Sequence, residues 1–241
     1  MADVWTSVRD LDQAMQERLA DVLEKRGADA QQQEMRRAFL DEVPFPPDAR
    51  VLDVGCGTGV LTRLLARRPG VSSVIGMDPA PGLLDRARKS AAGLPNASFR
   101  EGDSRSLPFD GGAFHVVTCD SMLSHVPGPE RAVAEAFRVL RPGGCLAAFD
   151  GDYATTTVAL GDHDPLQVCV DAMMANSVTD RRNDGYMLTV VDRGADILCS
   201  QGNIGEETAA SLKAEARRRL KAGRFFGHIA YAGLVARKPG R

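Results

Sequence analysis

The sequence has no long hydrophobic run. No stretch approaches the roughly 20 consecutive apolar residues that a membrane-spanning helix requires. The N-terminal residues lack the basic and apolar regions of a secretory signal peptide. The net charge is −2 and the basic residues are widely spread, which favours neither nucleic acid nor a membrane surface as a partner. We therefore expect a cytoplasmic protein that binds neither.

Cysteine patterns typical of metal sites and disulfide frameworks are also missing. The five cysteines are an odd number, and none stands in a CxxC or His–Cys ligand spacing. Reduced thiols are the simplest interpretation, and no metal site is expected. The one basic cluster, residues 213–224, follows a helical pattern, and we interpret it as a solvated helix face rather than an anion site.

Two amphipathic helices are predicted before the main fold. Apolar residues recur at steps of three and four from Leu11 to Leu23, and the segment VPFPPDAR ends the second helix because adjacent prolines cannot continue one. We predict an N-terminal helical cap over 1–45 and a main domain over 46–241. Within that domain, residues from about 151–225 are expected to form the substrate-pocket segment.

Short apolar runs alternate with helical patterns in the rest of the chain. This alternation predicts a doubly wound α/β fold, in which helices cover both faces of a parallel sheet. The predicted strands are Val51–Val54, Ser73–Asp78, Ala97–Asp103, Phe114–Asp120, Cys145–Asp150, Tyr186–Asp192 and Gly227–Lys238, and a late helix is predicted over 206–221.

The first strand leads into a glycine-rich turn, VLDVGCGTG. Its pattern is D-x-G-x-G-x-G, which lets a ligand lie against bare backbone next to a helix N-terminus. Dinucleotide dehydrogenases use GxGxxG, but counting from Gly55 the third glycine is Gly59, and Val60 stands at the required place. The Gly-Lys-Ser/Thr of a phosphate-binding P-loop is absent. The spacing argues against both of those nucleotide-binding classes.

Hydrogen-bond acceptors stand at the ends of successive strands. Asp78 ends the second strand and Asp103 the third, while Asp120 ends the fourth. Ligands bind at the carboxyl edge of such a sheet, where Asp78 can accept from ribose hydroxyls and Asp103 from an adenine amine. Helix capping is the structural alternative for each. Asp53 lies inside the first strand, where a carboxylate needs a partner.

Five motifs occur in order between residues 50 and 150. They are VLDVGCGTG, IGMDPAPGLLDRAR, FREGDSRSLPF, FHVVTCDSMLSHVP and EAFRVLRPGG. This succession resembles the class I S-adenosylmethionine-dependent methyltransferases, nearest to the small-molecule branch around the ubiquinone and menaquinone C-methyltransferases (methyltransferase type 11). The resemblance implies a Rossmann-like, mostly parallel seven-stranded sheet with an antiparallel last strand. It also implies that the N-terminal helices form a lid.

The resemblance implies S-adenosylmethionine as cofactor and S-adenosylhomocysteine as product. It also assigns residues to the parts of the cofactor. The methionine part is expected against Gly55, Cys56, Gly57 and Gly59, its amino group or the loop near Asp53, the ribose near Asp78 and Pro79, the adenine near Asp103 and Ser104, and the sulfonium and acceptor near Cys119, Asp120 and Ser121.

The implied reaction is methyl transfer to a small organic acceptor by in-line displacement. The protein must align the acceptor, the methyl group and the sulfur and must exclude water. A base is needed only when the acceptor must lose a proton. The candidate catalytic residues are His125, Asp152 and Tyr153, although packing, capping or loop roles are the structural alternatives.

Several questions stay open at this stage. The NPPY-type motif typical of adenine-N6 and glutamine methylation is absent. The sequence leaves open whether the methylated atom is O, N or C. A protein that binds the cofactor structurally, or for cyclisation or regulation, has the same cofactor motifs. The oligomeric state is monomer or homodimer. Between Thr179 and Asn183 the chain is shorter than the resemblance implies. Either the substrate-pocket segment is shortened at this place, or a segment is absent from this sequence.

Overall fold

A six-stranded sheet is the framework of the protein. The computed structural model describes residues 4–157, 166, 169, 186–221 and 228–240. In chain order the elements are α1 (Gln13–Ala28), α2 (Ala30–Asp41), β1 (Ala49–Val54), α3 (Val60–Ala66), β2 (Val71–Asp78), α4 (Pro81–Ser90), β3 (Ala97–Glu101), β4 (Phe114–Asp120), α5 (Pro129–Val139), β5 (Leu140–Thr157), α6 (Tyr186–Ser200), α7 (Glu206–Lys221) and β6 (His228–Arg237).

The strand order β3-β2-β1-β4-β5-β6 places a topological switch beside β1. The chain passes outward from β1 to β3 on one side of the sheet and then returns to β4 on the other side. β1 pairs in parallel with both β2 and β4, so the three strands end at one edge. Ligands of doubly wound folds bind in the crevice at this point. The sheet therefore opens the expected crevice at the end of β1.

Both faces of β1 are buried. Leu52 and Val54 join one hydrophobic cluster, while Val51 joins the cluster on the opposite face. Alternate side chains of a strand point to opposite faces, and a parallel sheet is covered on both. The pattern confirms the predicted doubly wound architecture.

The last strand runs antiparallel to the others. Lys238, directly after β6, donates its backbone N–H to the carbonyl of Gly144 and accepts from the N–H of Gly143, at 2.9 and 3.0 Å. The end of β6 thus lies beside the start of β5, as antiparallel pairing requires. The antiparallel last strand is confirmed, but the predicted count of seven strands is wrong because the sheet has six.

The segment predicted as a sixth strand, Tyr186–Asp192, begins the helix α6. Val191, Ala195 and Leu198 recur at steps of four and three and are buried together against α7. The β-branched residues suggested a strand, yet the apolar spacing continues with a helical period as far as Leu198. Burial of this helical face against α7 therefore determines that the segment is a helix. The helix predicted over 206–221 is confirmed as α7.

The chain divides into two compact units. One comprises Trp5–Asp150 and Gly233–Arg241, and the other comprises Met1–Val4 and Gly151–Ala232. The predicted division into a cap and a main domain stays a prediction. In the described part of the chain, no helix is long and apolar enough to cross a membrane.

The basic cluster lies largely on α7 and is paired with carboxylates. Lys213 and Arg217 form ion pairs with Asp196 and Asp192 of α6. Glu215, on α7 itself, pairs with two further arginines. These contacts support a solvated, charge-balanced helix face.

Candidate functional site

The glycine turn after β1 has a backbone that only glycine adopts easily. Gly57 has a φ of +52°, and a Cβ there would lie 2.8 Å from Leu23 Cδ1 of α1. Gly59 has a φ of +76°, and its Cβ would lie 2.8 Å from Phe99 Cε1. Left-handed φ and close approach both require the missing side chain. Gly57 keeps the turn open, whereas Gly59 lets α3 pack against β3.

The backbone amides of the turn are largely used within the protein. Gly55 and Cys56 both donate their N–H groups to the carbonyl of Met77, at 2.8 and 3.0 Å. Gly57 donates its N–H to Asp78 Oδ2 at 2.9 Å. These three donors are therefore not free for an anion, contrary to the simplest expectation from a glycine turn. The turn offers bare backbone surface rather than an anion-binding nest.

Asp78 organises the turn from the end of β2. Its Oδ1 accepts from the N–H of Ala80 at 3.0 Å, in addition to the bond from Gly57. Burial raises the pKa of Asp78 to about 6, and the two backbone N–H donors oppose that rise. A carboxylate has about four lone-pair sites, so two remain for a ligand. The carboxylate lines the cavity described below and is suited to accept from hydroxyl groups.

Asp53 is buried between two hydroxyl donors. Thr62 of α3 donates to its Oδ2 at 2.6 Å, and Thr118 of β4 donates to its Oδ1 at 2.9 Å. Burial raises the pKa of Asp53 to about 7, although the two hydroxyl groups oppose the rise. Asp53 therefore links β1 to β4 and to the helix that follows the turn. This geometry supports the loop-ordering role.

Asp53 is expected to make stability depend on pH. Its folded pKa of about 7 lies above the unfolded value of 3.8, so the folded state binds the proton more tightly. Its contribution to stability is therefore full below pH 4 and declines as the pH rises towards 7. Asp53→Asn should gain stability relative to wild type between pH 4 and pH 8, by a few kcal/mol at about 1.4 kcal/mol per pKa unit.

Urea unfolding at both pH values measures the difference. Asp110→Asn at an exposed carboxylate is the control. A stability difference between wild type and Asp53→Asn that is the same at pH 4 and pH 8 contradicts the raised pKa.

The residues after β3 form the other end of the site. Arg105 binds the carboxylate of Asp103 through its side chain, at distances from 2.7 to 3.2 Å, and through its N–H at 2.8 Å. The hydrogen bonds from the Arg105 side chain lower the pKa of Asp103, which stays half-exposed. Ser104 is buried beside it. Both residues that the resemblance assigns to the adenine line the cavity described below.

Asp120, at the end of β4, is paired with an arginine that sequence reasoning missed. Arg36 of α2 donates its Nε–H to Asp120 Oδ2 at 2.5 Å, and both side chains are almost wholly buried. The hydroxyl of Ser121 donates to Oδ1 at 2.9 Å. Gln32, Arg36 and Leu40 recur at steps of four and are the buried residues of α2. The sequence signal for a buried arginine was its position on this face, four residues from both Gln32 and Leu40.

Cys119 lies in the core rather than at the cavity. It belongs to the hydrophobic cluster on one face of the sheet and is 3% exposed. Burial raises the pKa of this thiol, and it raises that of Cys56 in the turn as well. Neither thiol is therefore activated as a nucleophile. Among the described residues, no group of three or more His, Cys, Asp or Glu side chains is arranged to hold a metal ion.

The segment before α1 covers part of the site and is fastened by Gln16. The Gln16 side chain donates to the carbonyls of Val8 and Leu11, at 3.2 and 3.0 Å. Its Oε1 accepts from the N–H of Gly82 in the first turn of α4, at 2.8 Å. One buried amide thus joins the N-terminal segment to the helix after β2.

His125 lies beneath the same N-terminal segment. It ends a short 3-10 turn after β4, and its ring centroid is 6.1 Å from that of Trp5. Thr6 donates its hydroxyl to the carbonyl of His125 at 3.1 Å. Ser124, the preceding residue, is held by Asp150 through its N–H and its hydroxyl. The candidate base therefore sits on an ordered turn at the cavity.

These groups surround one cavity of about 550 Å³. Eleven of the residues predicted for the site line it: Asp53, Gly55, Cys56, Gly57, Asp78, Pro79, Asp103, Ser104, Asp120, Ser121 and His125. Gly59 and Cys119 do not. Asp152 and Tyr153 lie within β5 instead of following it, and their side chains lie outside the described residues. The segment from Thr179 to Asn183 also lies outside them.

Thr58 and Arg36 line the cavity with unused hydrogen-bonding capacity. Thr58 Oγ1 and Arg36 Nη1 are buried and have no hydrogen-bond partner among the described residues. Buried polar atoms without partners are rare in folded proteins. A polar ligand that enters this cavity would satisfy them. The fold and the site together define a doubly wound α/β protein with a polar-lined cavity at its topological switch point.

Comparison with known proteins identifies the class more closely. Residues 51–144 match the methyltransferase domain family. A ubiquinone biosynthesis O-methyltransferase of Paracidovorax citrulli is 30% identical over 167 residues, which cover 62% of this chain and 69% of that protein. A 2-phytyl-1,4-naphtoquinone methyltransferase of Thermosynechococcus vestitus is 37% identical, over 51% of this chain and 55% of that protein. The chain belongs to the class I S-adenosylmethionine-dependent methyltransferases, and its cofactor is S-adenosylmethionine.

The chain matches only part of the length of most of its curated relatives. The chain spans 39% to 69% of the length of the curated relatives compared, about half in most cases. Among solved structures, the [4+2]-cyclase SpnF has a TM-score of 0.58 with 22% identity and covers 100% of this chain and 98% of that one. At that identity the likeness shows the fold alone.

Proposed function

We propose that the protein transfers a methyl group from S-adenosylmethionine to a small organic acceptor by in-line displacement. The observation that carries the proposal is the cavity at the end of β1, whose lining includes both the glycine turn and the N-terminal segment. A covered cavity of about 550 Å³ is of the size used for small ligands. Relatives named for quinone methylation support an acceptor of that kind.

The residues at the cavity divide into a binding end and a reacting end. Asp78 and Asp103 are placed to hold the adenosine part, by accepting from ribose hydroxyls and from the adenine amine. The bare backbone at Gly57 and the hydroxyl of Thr58 receive the methionine part. The cofactor supplies a methyl group that its positively charged sulfur has already activated.

The reaction also requires that water be kept from the reacting atoms and, for some acceptors, that a proton be removed from the accepting atom. The N-terminal segment fastened by Gln16 lines part of the cavity, and its proposed role is to exclude water from the reacting atoms. His125 lies on an ordered turn at the cavity and is the candidate base for an acceptor that must lose a proton. Asp152 and Tyr153 stay candidates for holding the acceptor.

A tritiated-methyl transfer assay tests the proposed function. The protein is incubated with the labelled cofactor and a panel of hydroquinones, phenols, organic acids and amines. We expect label in an extractable product of at least one acceptor. Tight binding of S-adenosylhomocysteine without transfer to any acceptor would instead support a structural or non-methylating use of the cofactor.

Asp78→Ala is expected to weaken S-adenosylhomocysteine binding by about 1.5 to 3 kcal/mol, the range for hydrogen bonds to a charged group. Calorimetry measures the loss. Since the substitution also removes the acceptor for Gly57 and Ala80, the 3′-deoxyribose analogue of the ligand serves as the control. A penalty from Asp78→Ala that is equally large for both ligands would show that this carboxylate organises the turn but does not hold the 3′-hydroxyl.

A further inference from the structure

The turn that carries His125 is joined to β5 at two consecutive residues. β5 runs parallel beside β4 and places Phe149 opposite the last residue of β4. Just after β4, Ser121 donates its N–H to the carbonyl of Phe149 at 2.7 Å. Within the turn, Ser124 donates its N–H and its hydroxyl to the two carboxylate oxygens of Asp150, at 3.2 and 3.1 Å. The neighbouring strand therefore holds this turn at both ends.

The turn depends on these contacts for its position. Ser121 has a φ of +53°, in the left-handed region that residues other than glycine seldom adopt. Such a residue keeps its conformation only where its surroundings hold it. The turn itself is a single 3-10 turn in which His125 donates its N–H to the carbonyl of Met122 at 3.0 Å. One short turn has few bonds of its own, so the bonds from Asp150 to Ser124 carry much of the support.

His125 and Asp150 differ in their relation to the cavity. Among the described residues, His125 lines the cavity and Asp150 does not. The carboxylate of Asp150 instead reaches Ser124, the residue directly before the candidate base. Any effect of Asp150 on a ligand of the cavity would thus pass through the turn.

We infer that Asp150 is a positioning residue for the proposed methyl transfer, because it fixes the turn that presents His125 to an acceptor. The inference rests on the proposed function, since it concerns the proton that the acceptor loses. In that step the imidazole takes the proton and the accepting atom uses its electron pair to bond the methyl carbon. The methyl–sulfur bond breaks with its electron pair on sulfur. A misplacement of about 1 Å can lower such a rate by about a hundredfold.

Four substitutions isolate the contact. Asp150→Ala removes both hydrogen bonds to Ser124. Asp150→Asn can keep both, because its amide oxygen accepts from the N–H of Ser124 and its amide nitrogen donates to the hydroxyl oxygen. Ser124→Ala removes the bond from the hydroxyl alone. Ser72→Ala is the matched control, because the Ser72 hydroxyl also makes two hydrogen bonds, but to backbone carbonyls near the start of β2.

The first measurement reports on the position of His125 and needs no acceptor. Trp5 is the only tryptophan of the chain, and its ring centroid lies 6.1 Å from that of His125. A protonated imidazole quenches the fluorescence of a nearby indole, and His125→Gln identifies the part of the acid quenching that belongs to His125. We expect this part to be lost in Asp150→Ala and to be kept in Asp150→Asn and Ser72→Ala.

The second measurement is steady-state kinetics with an acceptor that loses a proton. Asp150→Ala should lower kcat by about tenfold or more, with the KM for S-adenosylmethionine unchanged. Asp150→Asn should recover most of the rate. In a double-mutant cycle, Ser124→Ala should lower kcat in the wild-type protein but have little further effect in Asp150→Ala, where the partner of its hydroxyl is already gone. Urea unfolding verifies that each variant is folded.

The outcomes separate this inference from the proposed function. Loss of the quenching and of kcat in Asp150→Ala, with recovery in Asp150→Asn, supports the positioning role. Wild-type quenching or wild-type kcat in folded Asp150→Ala overturns it. A loss that Asp150→Asn does not recover also overturns it, because hydrogen bonding would then not be the cause. Failure to transfer label to any acceptor overturns the proposed function, whereas the quenching still shows whether Asp150 fixes the His125 turn.

Discussion

Gly57→Val is expected to lower the affinity for S-adenosylhomocysteine by about a hundredfold or more, equivalent to about 2.7 kcal/mol. The φ of +52° places this residue in the left-handed region, which a β-branched side chain adopts only with strain. The new side chain would also approach Leu23 within 2.8 Å at its Cβ. Relief of either conflict moves the N–H of Gly57 away from Asp78, and with it the wall of the cavity.

The control for this substitution is Gly93→Val. Gly93 follows α4 on the surface, and a Cβ there meets no atom within 4 Å. Calorimetry should show unchanged affinity for this variant. Adding Leu23→Ala to Gly57→Val separates the two causes, since it removes the contact but not the backbone strain. Wild-type affinity in the folded single variant Gly57→Val would refute the placement of the ligand against the turn.

Arg36→Met is expected to destabilise the protein by about 3 to 5 kcal/mol, because it leaves Asp120 buried without a cation. The two side chains are 3% and 10% exposed, so water does not replace the lost partner. Urea unfolding without ligand measures the effect. Combining Arg36→Met with Asp120→Asn should recover most of the loss, since no unpaired charge then remains in the core.

An exposed ion pair provides the matched comparison. Arg88 and Asp85 on α4 are 50% and 66% exposed at their side chains. Arg88→Met should cost less than about 1 kcal/mol, the usual value for surface pairs. A loss of the same small size for Arg36→Met would show that Asp120 does not depend on the arginine, and would weaken the case for a fixed guanidinium at the cavity.

The parts of the fold that depend on local pattern were predictable. The strand Phe114–Asp120 and the helix over 206–221 follow from short apolar runs and helical spacing. The ends of parallel strands share one sheet edge, so Asp78 and Asp103 were expected at one site and both line it. The segment from Tyr186 was predicted wrongly because its β-branched residues suit a strand, while burial of a helical face against α7 determined its structure.

The sequence by itself determined the doubly wound class, the glycine turn and the carboxylates at the strand ends, because these depend on neighbours in the chain and on a repeating topology. Only the tertiary structure decided how the turn is bonded and what faces the cavity. In the folded protein the amides of Gly55 and Cys56 donate to the carbonyl of Met77. Arg36 forms its ion pair with Asp120, although 84 residues separate the two in the sequence. Such pairings depend on which faces pack together, and no local pattern encodes them.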